Sequence, residues 1–366
     1  MNVLTVNAGS TSLKLETYAL SEPLPPIGAP PAPIASAAAA GDGWDALLDT
    51  ALGAEIDIVA HRFVRVPQGM APVIPLDAKA LASIARVASD APLHAGPALR
   101  VVAELERRRP GLRQFAVADS AFHRTLPPAA ATYAIPREFT RFGLRRIGYH
   151  GLSHEYVAHR AAELAGIDVG HARIASLHLG GGSSLCAIRN GASIDTTMGY
   201  TPLEGVPMAT RSGSLDPGII VRLLRRGMTL DELEETLEHR SGLFGISGGR
   251  SGDLRDLLAA AAADPSAQLA LDVLEWRVRT ALGATIAALE GVDLIAFTGG
   301  IGEHTPSIRA AALRGASPCG AELDEAANEA LHGEGRISTP ASRVACFVVA
   351  ARENWQLARS AFAAVS

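Results

Sequence analysis

Residues 3–15 read VLTVNAGSTSLKL, and the fold follows from how that stretch is read. Val3, Leu4, Thr5 and Val6 are apolar or β-branched, the make-up of a buried strand. Asn7, Ala8, Gly9 and Ser10 are turn formers. Ser12, Lys14 and Glu16 then alternate with Leu13 and Leu15, as on a half-buried return strand. The turn gathers an amide, hydroxyls and backbone N–H groups, with the Lys14 ammonium on the return strand. Small side chains let such a backbone approach phosphate oxygens closely. Taken alone, the same residues also fit an ordinary hairpin.

Two further stretches repeat the pattern. Residues 173–188, RIASLHLGGGSSLCAI, are again an apolar strand, a Gly/Ser turn and an apolar strand. Residues 293–303, DLIAFTGGIGE, are a strand and a glycine turn ahead of a helix-like stretch. Strand–turn–strand units in both halves predict a duplicated α/β domain with a nucleotide held between the halves.

Composition narrows the class. With 366 residues, 48% hydrophobic and 19% charged, the chain has core enough for two domains. A net charge of −5 without a long basic run argues against nucleic acid as a partner. Cys186, Cys319 and Cys346 are widely spaced and form no CxxC, which fits a reducing cytosol and speaks against structural zinc. Each reads as a buried small hydrophobe. No secretory pattern and no apolar run of membrane-spanning length is visible, so the expectation is a cytoplasmic protein without a membrane partner.

Along the chain, residues 21–42 are rich in Pro and Ala and read as a surface connection or local insertion. Residues 55–65, EIDIVAHRFVR, read as a strand ending in His61, Arg62 and Arg65, where the plain reading of Arg62 is a solvated strand end. A strand over 115–123 brings Asp119 toward a site at its carboxyl end; a helix N-cap is the plainer role. His150 and His154 stand four apart without an HExxH glutamate, which disfavours metal. His178 ends a strand beside Gly180, Gly181 and Gly182. In the loop 195–217 the one cation, Arg211, suits an anion. Residues 217–290 are mainly helical by period. Within them a Gly/Ser loop enters a helix through Asp253, Leu254 and Arg255, suiting a nucleotide edge or simple Asp capping.

Ten stretches in order resemble the acetate kinases, short-chain carboxylate kinases of the actin-like and sugar-kinase superfamily. They are NAGSTSLK (7–14), AHR (60–62), APLH (91–94), DSAFHRTLPP (119–128), YHGLSH (149–154), HLGGGSS (178–184), TPLEG (201–205), ATRSGSLDP (209–217), SGDLRDL (251–257) and FTGGIGEH (297–304). The resemblance implies two duplicated actin-like (ribonuclease H-like) α/β domains with an active-site cleft between them. It sets one domain at 1–148 plus 355–366 and the other at 149–354, usually in a homodimer. It implies reversible, Mg²⁺-dependent phosphoryl transfer from ATP to acetate, giving acetyl phosphate and ADP, with Mn²⁺ as an alternative metal.

By the same resemblance, Arg62 and Arg211 meet the acetate carboxylate and the transferring group, and His178 donates to the phosphoryl oxygens. Asp119 orients an arginine or the metal shell, and His150 lies near the acetate. Val64, Leu93, Tyr149 and Pro202 form the pocket for the acetate methyl. Asn7 and Glu353 belong to the metal site. Ser10, Ser12 and Lys14 belong with the first phosphate turn, and Gly180, Gly181 and Gly182 with the second. Asp253, Leu254, Arg255 and the turn Gly299, Gly300, Ile301 and Gly302 mark the adenosine side.

The chain departs from the family pattern at several points. HLGNG is HLGGG, with Gly181 in place of asparagine, and MGTR is MATR, with Ala209 in place of glycine. NEE is Arg352-Glu353-Asn354, APLHN is APLHAG, and the pocket phenylalanine is Tyr149. Alternatives on the same motifs are a propionate or butyrate kinase, a pyrophosphate-using relative, and a non-catalytic nucleotide-binding protein.

Overall fold

The computed structural model describes residues 1–9, 12–40, 44–67, 69–88 and 92–366, which divide into two compact units. Unit 1 comprises Met1–Ala121, His150–Tyr156 and Arg352–Ser366; unit 2 comprises Phe122–Tyr149 and Val157–Ala351.

Unit 1 is built on a six-stranded sheet: β1 (Asn2–Ala8), β2 (Ser12–Ala19), β3 (Ala35–Ala40), β4 (Ile58–Phe63), β5 (Val73–Pro75) and β6 (Arg113–Ala118). Their order is β3-β2-β1-β4-β6-β5. β1 and β2 form the hairpin expected from residues 3–15, while β1, β4 and β6 run parallel. Leu4, Val6, Leu13 and Leu15 point to one face, as the period of two demands, and pack with Leu48, Val101 and Leu105. Leu48 lies on α1 (Trp44–Leu52), and Val101 and Leu105 lie on α3 (Pro92–Arg108). Between those helices in sequence stands α2 (Ala78–Ala88), whose Ile84 joins Phe63 and Val102 in a second cluster.

Unit 2 repeats the plan with β7 (Arg173–Leu179), β8 (Ser183–Arg189), β9 (Ala192–Thr196), β10 (Leu294–Thr298), β11 (Gly335–Arg336) and β12 (Ala345–Val348). The order β11-β12-β10-β7-β8-β9 has the same topology, with β7, β10 and β12 parallel and β7, β8 and β9 antiparallel. The duplication expected from the repeated turns is therefore present strand for strand. Helices α4 (Pro128–Ala131) and α5 (Gly151–Ala165) lie between the two sheets in sequence. After β9 come α6 (Pro217–Arg225), α7 (Leu230–His239), α8 (Gly242–Ile246), α9 (Leu254–Ala260) and α10 (Pro265–Leu289). Along α10, Leu271, Leu274, Val278, Leu282, Ile286 and Leu289 recur every three or four residues and are buried. After β10 follow α11 (Gly299–His304), α12 (Pro306–Leu313) and α13 (Glu325–Ala330), and α14 (Glu353–Val365) ends the chain.

Four expectations change. The Pro/Ala-rich 21–42 segment is not all connection, because Ala35–Ala40 pairs antiparallel with β2 as an edge strand. Alanine carries little β-preference and gives no period, so the open edge of β2 decides. The strand before Asp119 stops at Ala118, and Asp119–Thr125 is a 3₁₀ helix. The GGIGE turn is the first part of α11. Cys186 and Cys346 are buried, but Cys319 is only half-buried.

Candidate active site

In unit 1 the carboxyl ends of three parallel strands meet at one edge, where open α/β sheets place ligands. Asn7 is the penultimate residue of β1, Arg62 the penultimate residue of β4, and Asp119 follows β6. The Arg62 guanidinium donates through Nη2 to Asp119 Oδ2 at 2.8 Å and through Nη1 to Asn7 Oδ1 at 3.2 Å. Glu353, the first residue of α14, accepts the Asn7 amide at 3.0 Å and lies 3.7 Å from Arg62 Nη1. Arg62 is therefore no solvated strand end; its side chain is 16% exposed and that of Asp119 1%. Burial opposes the charge on Arg62, but Asp119 and Glu353 outweigh it and hold the guanidinium protonated. Its Nε is buried and has no hydrogen-bond partner among the described residues.

Asp119 pairs with Arg62 and also meets the start of a helix other than the one it begins. Besides pairing Arg62, it accepts the backbone N–H groups of His150 and Leu152, each at 3.1 Å, at the start of α5. His150 holds the left-handed conformation there (φ 56°), and its ring centroid lies 6.5 Å from that of His154. Beside Arg62, His61 is fully buried and Nε2 meets Gln114 Oε1 at 2.8 Å. Gln114 spends its own amide on the Val102 carbonyl, so His61 Nε2 is the donor. Burial pushes the His61 pKa down to about 4, against the smaller effect of Gln114, and the ring is neutral. In the first turn, Gly9 N–H closes onto the Ser12 carbonyl at 2.7 Å, and Lys14 stands opposite Asn7, exposed. Ser10 and the Leu93 side chain lie outside the described residues, and Val64 is half-buried.

In unit 2 the glycine turns come together. The Gly180 N–H donates to Ser183 Oγ at 3.2 Å, and the Gly181 carbonyl accepts Ala209 N–H at 3.3 Å. A methyl added at Gly180 would lie 4.0 Å from His178 Nε2 and 3.8 Å from the Gly300 nitrogen, so the imidazole and the third turn border the second. Gly299 has φ +78°, and a methyl there would stand 2.6 Å from the Leu179 carbonyl oxygen, so only glycine serves. A methyl at Gly181 meets nothing within 4 Å among the described residues.

A cavity of about 740 Å³ opens here, and seven expected residues line it: Gly180, Gly181, Asp253, Leu254, Arg255, Gly300 and Ile301. Gly182, Gly299 and Gly302 do not line it. Asp253 caps α9 through the Arg255 N–H at 2.9 Å and pairs with the exposed Arg255 guanidinium at 2.5 Å, so the capping reading holds. The sequence reading missed Glu329 on α13 and His304, although His304 ends a quoted motif. It also missed Arg309, buried at 1%, which ties the two walls. Arg309 donates to the Gly302 and Glu303 carbonyls at 3.0 and 2.8 Å and to Asn328 at 2.8 and 2.7 Å.

Tyr149 is buried, and its hydroxyl donates to the Tyr200 carbonyl at 2.7 Å, so the added phenol is engaged by the loop that also carries buried Pro202. In the same loop Arg211 donates from Nε to Glu238 Oε2 at 2.7 Å, with side chains 26% and 12% exposed. Gly242, at φ +58°, lets α8 start beneath this loop; a methyl there would stand 2.6 Å from the Arg211 carbonyl oxygen. Among the described residues, no three or more His, Cys, Asp or Glu side chains converge as metal ligands.

Residues 45–359 match the model of the Acetokinase family. An acetate kinase of Thermosynechococcus vestitus is 38% identical over 411 aligned positions, covering 98% of this chain and 97% of that protein. The crystal structure of Porphyromonas gingivalis acetate kinase superposes with a TM-score of 0.87 at 32% identity, over 100% of both chains. A propionate kinase from Francisella tularensis superposes at 0.85 with 30% identity, over 98% of both. On this sequence match and this shared architecture, the chain belongs to the acetokinase family.

Proposed function

We propose that the chain is an acetate kinase, moving the γ-phosphoryl group of ATP to the acetate carboxylate to give acetyl phosphate and ADP, reversibly. The observation that carries the reading is the arginine held by Asp119, Asn7 and Glu353 at the carboxyl ends of β1, β4 and β6. Phosphoryl transfer needs positioning and charge stabilisation more than covalent work. Arg62 and Arg211 bind the acetate carboxylate and the equatorial oxygens in flight, a task suited to a planar fork. Acetate is already ionised at neutral pH, so Asp119 holds Arg62 and takes no proton. His178 donates to the same oxygens. The cavity of unit 2 takes the nucleotide, with Asp253, Leu254 and Arg255 on one wall and Gly300 and Ile301 on another. Tyr149 and Pro202 contribute to the acyl pocket, and His150 shapes its entrance through the backbone that Asp119 holds.

Mg²⁺, or Mn²⁺ in its place, fits Glu353 and Asn7. Mg²⁺ asks for one or two carboxylates plus substrate phosphates rather than a full protein cage, and Asn354 Oδ1 beside Glu353 is buried with no partner among the described residues. The ion would neutralise charge on the phosphates. We place the enzyme in the cytoplasm, where ATP is supplied; among the described residues no helix is long and apolar enough to cross a membrane.

We further propose a homodimer. Helix α6 buries none of its residues, and Ile219, Val221 and Leu224 are exposed at 45%, 46% and 36%. Arg222, Arg225 and Arg226 on or beside α6 and Asp231, Glu234 and Glu235 of α7 are exposed as well, so charges of both signs flank that apolar face. A monomer by light scattering would remove this part.

Trapping acyl phosphate as the hydroxamate, with acetate, propionate or butyrate against ATP, GTP or pyrophosphate, tests the whole. Acetate with ATP should give the highest kcat/KM. No product from any pair would end the reading.

A further inference from the structure

We propose that Glu238 is the positioning residue of Arg211. The inference rests on the reading that Arg211 acts on the transferring group. Glu238 is the penultimate residue of α7, and its carboxylate is 12% exposed. It accepts Arg211 Nε at 2.7 Å. A guanidinium has five N–H donors in a fixed fork. Holding it by Nε sets the plane and leaves both terminal nitrogens, with four of the five N–H bonds, for an anion.

The loop does not depend on that carboxylate for its path. Thr210 Oγ1 donates to the Glu238 backbone carbonyl at 2.7 Å, Ser212 N–H to the Leu237 carbonyl at 3.1 Å, and Ser241 N–H to the Thr210 carbonyl at 2.9 Å. Changing the Glu238 side chain therefore frees the guanidinium while the backbone anchors on α7 remain. A positioning role follows, because an aimed donor loses rate when its geometry loosens by about an ångström.

The test is steady-state kinetics of acyl phosphate formation on the full chain, with ADP affinity by calorimetry as the folding control. Glu238→Ala should lower kcat by about 10–100-fold. Glu238→Gln, whose amide oxygen still accepts from Nε, should stay within about 5-fold of wild type. Glu238→Asp, which withdraws the acceptor by one methylene, should fall between them. In an Arg211→Ala background, Glu238→Ala should cost no more than about 3-fold further, since residues acting as a unit are not additive. ADP affinity should stay within about 3-fold throughout.

Wild-type turnover in Glu238→Ala overturns the proposal, as does an equal loss with and without Arg211. If the alanine variant does not fold, a Glu238→Asp enzyme faster than Glu238→Gln overturns it instead. Arg211→Ala with wild-type turnover is a separate result, removing the reading beneath the proposal.

Discussion

The two sheets share one topology, yet the matching strand ends carry different chemistry. In unit 1, Val6 of β1 lies opposite His61 of β4, so Asn7 falls beside Arg62. In unit 2, His178 of β7 lies opposite Thr298 of β10. The third parallel strand leads to Asp119 in one unit and to apolar Val349 in the other. The first scaffold thus presents a paired guanidinium and carboxylates at its edge, while the second presents an imidazole and glycine turns. The two candidate arginines differ in the same spirit. Arg62 comes from the sheet and meets its protein partners through both terminal nitrogens, leaving Nε buried and unpaired among the described residues. Arg211 comes from a loop and meets its partner through Nε. Duplication supplied two frames, and the charges were distributed unequally between them.

If that contrast is right, the two arginines differ in what their removal does to stability. Arg62→Ala takes the paired guanidinium away from Asp119, which is buried at 1%, and unfolding by urea should show a loss of about 3–5 kcal/mol. Arg211→Ala, in a looser pair, should cost about 1 kcal/mol or less. Equal losses would break the comparison.

His61 gives a second handle on unit 1. Its folded pKa is lowered to about 4 from the ordinary 6.5, so the unfolded chain binds the proton more readily between those values. Stability from the neutral ring is therefore complete above pH 6.5 and falls as pH drops toward 4, by about 3 kcal/mol in all. His61→Phe should flatten that slope in denaturant titrations at stepped pH, and an unchanged slope would count against a buried neutral imidazole.

The smallest effect belongs to unit 2. Gly181 has open space at its Cβ and no left-handed backbone, so Gly181→Asn should change stability by no more than about 0.5 kcal/mol. Its KM for ATP should fall if the turn holds phosphate, and an unchanged KM with every donor would detach the turn from the nucleotide.

The sheets were legible because buried strands draw on β-branched and apolar residues and their turns on glycine. That is why residues 3–15, 173–188 and 293–298 could be read from sequence, and β3 could not. Six residues of alanine and serine have no period, and only the unpaired edge of β2 explains their strand. Asp119 and Arg62 could be singled out because a charge at the end of an apolar strand stands out. Glu238 could not, because LDELEETLEH offers five carboxylates on an amphipathic helix and only the path of the 197–216 loop selects one of them. Arg309 was invisible for a related reason: its partners are backbone carbonyls and an asparagine, without a charge to predict them.

The claim beneath all of this is that the strand-end arginine of unit 1 serves the transfer step and not nucleotide capture. Calorimetry with ADP beside acetyl phosphate formation, on wild type and Arg62→Ala, tests it most directly. The account predicts ADP affinity within about 3-fold of wild type and turnover lowered by about 10²–10³-fold. Turnover near wild type, or a collapse of ADP affinity that accounts for the whole loss, would contradict it.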